Sequence, residues 1–242
     1  MIQKKISKKE SLGSIQSDFI NLASHQLRTP LSGMRWLLEL LQKEKVGPLN
    51  KKQKEYLEKI YLSNERMIAL VNDLLEVTRL EEGDIKLYIQ PTDLTVIVRE
   101  LAKEKEREIK KKKMKVSLNI AQEPFPMVKT EPNKIKQAIG NLISNAITYT
   151  DEGGEVHVEL GMMEDMAMLK VRDTGVGIPQ AQQKQIFDKF FRGSNVLKFE
   201  NIGTGLGLYI TKSFIEASGG KIWFSSEEGK GTTFFVTLPV YK

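Results

Sequence analysis

The chain has 242 residues, 40% of them hydrophobic and 28% charged, with a formal net charge of +6. That is enough apolar material for one large or two modest folded domains, and it excludes a disordered polyelectrolyte. There is no cysteine, which rules out disulfides and thiolate metal sites and suits a reducing, cytoplasmic setting.

The first dozen residues read as a polar, lysine-rich lead-in without the apolar run of a signal peptide. From about residue 11 to 44 the pattern is helical. Leu27, Leu31, Met34, Leu38 and Leu41 recur at steps of four, three, four and three, an apolar stripe. A second register, Asp18, Asn21, His25, Arg28, Ser32, Arg35 and Glu39, is polar throughout, so His25 is expected on a wet face. Pro30 lies in this helix although proline costs a helix interior ~3 kcal/mol. Val46-Gly47-Pro48 breaks the helix, and Lys51 to Glu82 forms a second one, ended by Gly83. Two long helices joined by a short turn make an antiparallel hairpin. Its stripes are too long to bury alone, so a homodimer closing a four-helix bundle is expected.

Beyond residue 84 strands and helices mix. Ile85 to Ile89 alternates like a short strand, and Thr92 to about Lys113 reads as a helix capped by Thr92 or Asp93. Strands are expected at Met114 to Ile120, Met127 to Lys129, Glu155 to Leu160 and Met166 to Asp173. Lys221 to Ser226 is expected to pair with Thr232 to Pro239. Helices are expected at Glu131 to Thr148, Gln180 to Phe187 and Gly205 to Ser218, with no periodicity from Arg192 to Thr204. This mixture indicates an α/β sandwich. The division is therefore a helical hairpin over 1–83 and an α/β domain over 84–242. No apolar stretch approaches the ~20 residues of a membrane span. The lysine runs, such as Lys110 to Lys113, lack interleaved aromatic residues for base stacking, so neither membrane contact nor nucleic-acid binding is expected of this segment.

Five short stretches carry chemistry. Residues 25–31, HQLRTPL, place a neutral-pH nucleophile on a polar helix face. In NLISNAITYT, residues 141–150, Asn141 and Asn145 share one helix face, and an amide oxygen suits Mg²⁺ together with phosphates. In DTGVGIP, residues 173–179, Asp173 ends a strand and can accept a hydrogen bond from a purine amino group. Gly175 and Gly177 are expected to let backbone approach a ligand closely. IFDKFFRG, residues 186–193, offers Arg192, whose fork matches phosphate oxygens, and Phe187, Phe190 and Phe191 as core or hinge anchors. GTGLGL, Gly203 to Leu208, opens a helix whose free N–H groups favour an anion. The spacing fits neither a P-loop nor a dinucleotide fingerprint.

HQLRTPL resembles the H box of sensor histidine kinases, with the pattern His-Glu/Asp-x-x-Thr/Asn-Pro-Leu. The other four stretches, in this order, resemble the N, G1, F and G2 boxes of the kinases' ATP-binding domain, a Bergerat-type fold shared with gyrase, Hsp90 and MutL. The resemblance implies ATP and Mg²⁺ as cofactors, a homodimer, and a response regulator receiver domain as partner. It makes His25 the phospho-acceptor, flanked by Gln26. It gives Thr29 a role in dephosphorylating the regulator. Asn145 becomes the Mg²⁺ ligand with Asn141 beside the phosphates, Tyr149 lies against adenine, and Asp173 reads its amino group. Arg192 faces the γ-phosphate, and Gly203, Thr204, Gly205, Leu206 and Gly207 cradle the phosphates behind a lid at about 193–204. The implied activity is autophosphorylation on His25 and transfer to a regulator aspartate.

Two positions depart from the pattern. Gln26 replaces the acidic residue that follows the histidine, and Thr148 stands where many relatives carry lysine. Both also suit a phosphatase-dominant sensor or a nucleotide-sensing scaffold. A gyrase-type ATPase is disfavoured, because Asn141 occupies the position of its catalytic glutamate.

Overall fold

The computed structural model describes residues 2–45, 47–83, 87–196 and 203–241, with side chains from residue 20 onward except at 21. The chain separates into two compact units, 1–85 and 86–242.

The first unit is a helical hairpin. α1 spans Ile2–Gln42 without a break at Pro30, and α2 spans Lys51–Glu81. The helix thus begins well before residue 11. Lysine, glutamate and glutamine are good helix formers, and no proline interrupts them. The connection contains Val46, which lies outside the described residues. α2 starts at a capping box: the Asn50 side chain accepts from the Gln53 amide at 2.9 Å, and Gln53 Oε1 accepts from the Asn50 amide at 2.9 Å. Gly83, with φ at 70°, lies just past the helix end, in a conformation that costs glycine least.

The helices run antiparallel, joined by Arg35–Glu65 at 3.4 Å and by Asn64, whose amide donates to the Leu31 carbonyl at 3.1 Å. The buried line is Ser24, Leu31 and Leu38 against Asn64, Val71, Leu75 and Thr78. The expected stripe is therefore split. Leu31 and Leu38 are buried, whereas Leu27 is 51% and Met34 43% exposed. A two-helix hairpin covers one side of each helix only, so Leu27 and Met34 stay exposed, as do Ile60 and Met67 of α2.

The second unit is built on a five-stranded sheet ordered β2-β4-β5-β7-β6. Its strands are β2 Lys115–Ile120, β4 Glu155–Met163, β5 Met166–Asp173, β6 Lys221–Glu227 and β7 Gly231–Pro239. β2 is parallel to β4, and the other neighbours are antiparallel. A small ladder pairs β1, Gln90–Thr92, with β3, Val128–Thr130. The strand expected over 85–89 is thus displaced. Residues 85 and 86 lie outside the described residues, 87–89 are not in a strand, and pairing with Thr130 fixes the ladder at Gln90.

The helices are α3 Leu94–Glu104, α4 Glu106–Lys111, α5 Pro132–Tyr149 and α6 Gly207–Ala217. Asp93 caps α3, accepting from the Thr95 amide at 2.8 Å. The helix expected to run to Lys113 breaks at Lys105, whose N–H closes α3 on the Leu101 carbonyl. The segment expected as a helix from Gln180 forms a 3-10 turn, Gln180–Gln185.

Alternate residues of β4, β5 and β7 (Val158, Leu169 and Val236 among them) are buried in one cluster with Leu94 and Val98 of α3 and Ile139, Leu142 and Ile143 of α5. The helices thus cover one sheet face. The other face carries Ser117, His157, Lys170, Phe235 and Trp223, and it is exposed or half-buried. Each fully buried aliphatic side chain contributes roughly 1.5–3 kcal/mol by leaving water.

Candidate functional site

In the helical unit, His25, Gln26 and Thr29 all lie on α1 and all are exposed. Arg28, Ser32 and Arg35 of the same polar register are exposed as well, while Asp18 and Asn21 have side chains outside the described residues. An exposed imidazole on a continuous helix is open to a large partner from several directions, and it stands clear of the buried line through Ser24 and Leu31.

In the α/β unit, α5 brings Asn141, Asn145 and Tyr149 to one face at steps of four. Pro132 occupies the first turn, where its missing N–H has no partner to lose. Asn141 Nδ2 donates to the Gly207 carbonyl and to Thr211 Oγ1, both at 3.3 Å, tying α5 to the first turns of α6. Asn145 is half-buried, and its amide has no hydrogen-bond partner among the described residues. Burial pushes the Tyr149 hydroxyl's pKa up, against the pull of nearby Arg192.

Asp173 ends β5 and is only 7% exposed. Its Oδ1 accepts from the Gly175 amide at 2.8 Å and the Thr232 amide at 3.1 Å. Those bonds favour the carboxylate, but burial outweighs them and raises its pKa to about 6. The second oxygen has no protein partner among the described residues, so it is available to a ligand donor.

The glycines of this loop pack closely on the protein's own backbone. A Cβ on Gly175 would run into the Tyr149 carbonyl, and one on Gly177, at φ 64°, into the Glu227 carbonyl. Their freedom lets the loop pack on the protein's own backbone, sealed by Val176 N donating to Tyr149 O at 3.1 Å and Gly229 N to Val176 O at 2.8 Å. An open groove of about 350 Å³ beside this loop, lined by Asp151, Thr174 and Glu228, shares only Gly175 with the candidate residues and is a separate feature.

Arg192 follows the phenylalanine segment. Its Nε and one terminal nitrogen are buried without a hydrogen-bond partner among the described residues. Two orphaned cationic donors are costly unless an anion meets them. Phe187 and Phe191 are half-buried beside the core, but Phe190 is 59% exposed with φ at 60° and is not a core anchor. A Cβ on Gly205 would strike the Phe190 backbone, so that turn needs glycine.

Leu206 is fully buried, its N–H held by Thr204 Oγ1 at 3.2 Å, and α6 starts at Gly207 with the first-turn N–H groups left open. Gly203 and Thr204 are the first described residues at the end of the segment expected as a lid. Residues 197–202, with Lys198, lie outside the described residues. A phosphate chain fits this donor set, with Arg192 and the α6 amides. Asn145 offers Mg²⁺ a single neutral oxygen, the kind of partial shell this ion completes with phosphates and water. Among the described residues no cluster of three acidic, histidine or cysteine side chains offers an all-protein metal site.

Comparison with known proteins matches both units. Residues 15–83 match the His Kinase A (phospho-acceptor) domain, and residues 130–242 match the histidine kinase-, DNA gyrase B- and HSP90-like ATPase family. The chain belongs to the sensor histidine kinases. It is 35% identical to the sensor histidine kinase WalK of Bacillus subtilis over 97% of its length, covering 38% of that protein. It is 31% identical to the circadian input-output histidine kinase CikA of Synechococcus elongatus over 95% of its length, covering 31% of it.

Full-length ShkA, crystallised in complex with AMPPNP, superposes with a TM-score of 0.74 at 26% identity, over 93% of this chain and 46% of that one. The ThkA catalytic domain matches 63% of this chain and 97% of its own, with a TM-score of 0.55 at 29% identity. The α/β unit thus has the Bergerat-like ATPase fold. This kinase chain spans only about a third to two fifths of the first curated relatives it matches. Among its described residues no helix is long and apolar enough to cross a membrane.

Sequence reasoning passed over Lys112. Its ammonium donates to the carbonyls of Ile147, Thr148 and Thr150 at 2.7, 2.9 and 2.9 Å. A lysine run reads as solvated, and nothing local marks the third of its members as turned inward.

Proposed function

We propose that the chain is the phospho-acceptor and catalytic core of a two-component sensor kinase, divided at residues 83 and 84. It phosphorylates His25 from ATP and passes the phosphoryl group to an aspartate of a response regulator. The observation that carries this reading is the pair of buried, unpaired donors on the Arg192 guanidinium near Tyr149, which calls for an anionic ligand at the nucleotide boxes.

In this reading Asp173 accepts the adenine amino group on its free oxygen, and Tyr149 covers the ring. Asn145 supplies the protein ligand of Mg²⁺, with Asn141 beside the phosphates. Gly203 to Gly207 and the α6 amides hold the phosphate chain, and Arg192 meets its γ end. Bound Mg²⁺ neutralises phosphate charge. The His25 imidazole contributes the lone pair that forms the N–P bond as the bond to the bridging oxygen of ADP breaks. Exposure of His25 and its polar neighbours suits docking of a receiver domain. The apolar side chains that the hairpin leaves exposed, Leu27 and Met34 with Ile60 and Met67, suit a second copy of the chain. Thr29, four residues on and equally exposed, suits orienting the water that hydrolyses a phospho-aspartate of the regulator.

Incubation with γ-labelled ATP and Mg²⁺ tests the reading. Acid-labile, base-stable label should appear and should vanish in both His25→Ala and Asn145→Ala. Label that persists in His25→Ala would overturn the acceptor assignment.

A further inference from the structure

The C-terminal turn of α5 is closed by side chains and loops rather than by its own chain. A helix leaves its last four carbonyls without intrahelical partners. Here each has a donor, as does the next carbonyl. Thr150 Oγ1 donates to Ala146 O at 2.7 Å, and Val176 N donates to Tyr149 O at 3.1 Å. Lys112 Nζ takes Ile147 O, Thr148 O and, one residue beyond, Thr150 O. An ammonium has three protons, and all three are matched. α5 has no basic residue in its own last turn, so Lys112, just past the end of α4, supplies the charge that complements the negative end of the helix dipole. The Lys112 carbonyl also accepts from the Gly153 amide at 2.9 Å, clasping the turn that follows α5 from both sides.

We infer that Lys112 is a positioning residue for nucleotide binding: it fixes the last turn of α5, and through it Tyr149, Asn145 and the loop that starts at Gly175. Tyr149 lies between two carbonyls that Lys112 holds, and its own carbonyl anchors the glycine loop. The inference deepens the reading of ATP at this site and rests on it. Without the ammonium, the carbonyls of Ile147, Thr148 and Thr150 lose its three protons, and the turn frays where the adenine pocket is built.

The test compares Lys112→Met, which keeps the apolar stem, with Lys112→Arg and with Lys113→Met next door, whose ammonium meets only exposed Glu152. Mg-ATP affinity is measured by calorimetry well below the unfolding temperature, and amide exchange at residues 147–150 is followed without nucleotide. Lys112→Met should weaken affinity roughly tenfold or more and speed exchange at these amides. Lys112→Arg should recover part of both, and Lys113→Met should change neither. Lower thermal stability with unchanged affinity and exchange would reduce Lys112 to a structural residue and overturn the inference. If the parent protein binds no Mg-ATP, the nucleotide reading itself fails and the inference falls with it. Binding by the parent and equally by Lys112→Met sinks the inference alone.

Discussion

Asp173 and Thr232 are joined across the end of the sheet. One carboxylate oxygen of Asp173 accepts the Thr232 amide at 3.1 Å while also holding the Gly175 amide at 2.8 Å. A carboxylate in that position would ordinarily be acidic, yet burial raises its pKa to about 6 from an ordinary 3.8. The folded state therefore binds the proton more tightly than the unfolded chain. Stability from this group is complete below about pH 4 and is lost as pH rises through about 6. Asp173→Asn keeps an oxygen for both amides and carries no charge. It should match the parent near pH 4 and exceed it by at most about 3 kcal/mol at pH 7. Urea unfolding of both proteins across that range checks this, and a difference that does not vary with pH would refute the buried-carboxylate account. The same substitution turns a donor toward the adenine amino group, so ATP affinity should fall even as stability rises.

Arg192 poses the same conflict between site and fold. A guanidinium with two buried, unpaired donors costs about 1–3 kcal/mol per unsatisfied group. Arg192→Met should thus raise the unfolding midpoint in the absence of nucleotide. If the guanidinium meets the terminal phosphate, the variant should also lose its preference for ATP over ADP. Calorimetry with both nucleotides reads this, and a preference left intact would move Arg192 away from the γ-phosphate.

Much of this arrangement is legible in the sequence because it is local. Pro132 and Thr150 bracket α5, alternation marks β4 and β5, and Gly83 ends α2. The capping box at Asn50 and Gln53 was also open to reading, since an Asn three residues before Gln at a helix start is its signature. What stayed hidden depends on distant partners. β1 is set by its pairing with Thr130, some forty residues away. Leu27 and Met34 share the spacing of Leu31 and Leu38, and only the position of α2 decides which pair is covered. The nucleotide boxes were visible as motifs, but the inward turn of Lys112 from a run of like residues was not.

Lys113 offers a test on the fold alone. It sits just past α4 with φ at 52°, while Met114 N closes on Ile109 O and Lys113 N on Lys110 O, both at 3.1 Å. That left-handed position favours glycine. Lys113→Gly should stabilise the α/β unit by a few tenths to about 1 kcal/mol, offset only by a solvent-exposed ion pair with Glu152. Chemical denaturation measures it. Destabilisation would mean the exposed pair outweighs the backbone strain.

Gln26 follows His25 on the exposed face of α1, and its amide can orient the imidazole but cannot accept a proton. A carboxylate there would take the imidazole proton as the N–P bond forms, a contribution commonly worth ~10²–10⁴-fold. Gln26→Glu should therefore speed label incorporation from γ-labelled ATP by roughly tenfold or more, with unchanged ATP affinity, since the position belongs to the helical unit. Because the side chain is exposed, the substitution should leave the unfolding midpoint where it is. Equal initial rates for the two proteins would show that the neutral imidazole needs no base. In that case glutamine at this position is no handicap to the kinase reaction, and the balance between phosphorylation and dephosphorylation must be set elsewhere on the helix, with Thr29 the next position to change.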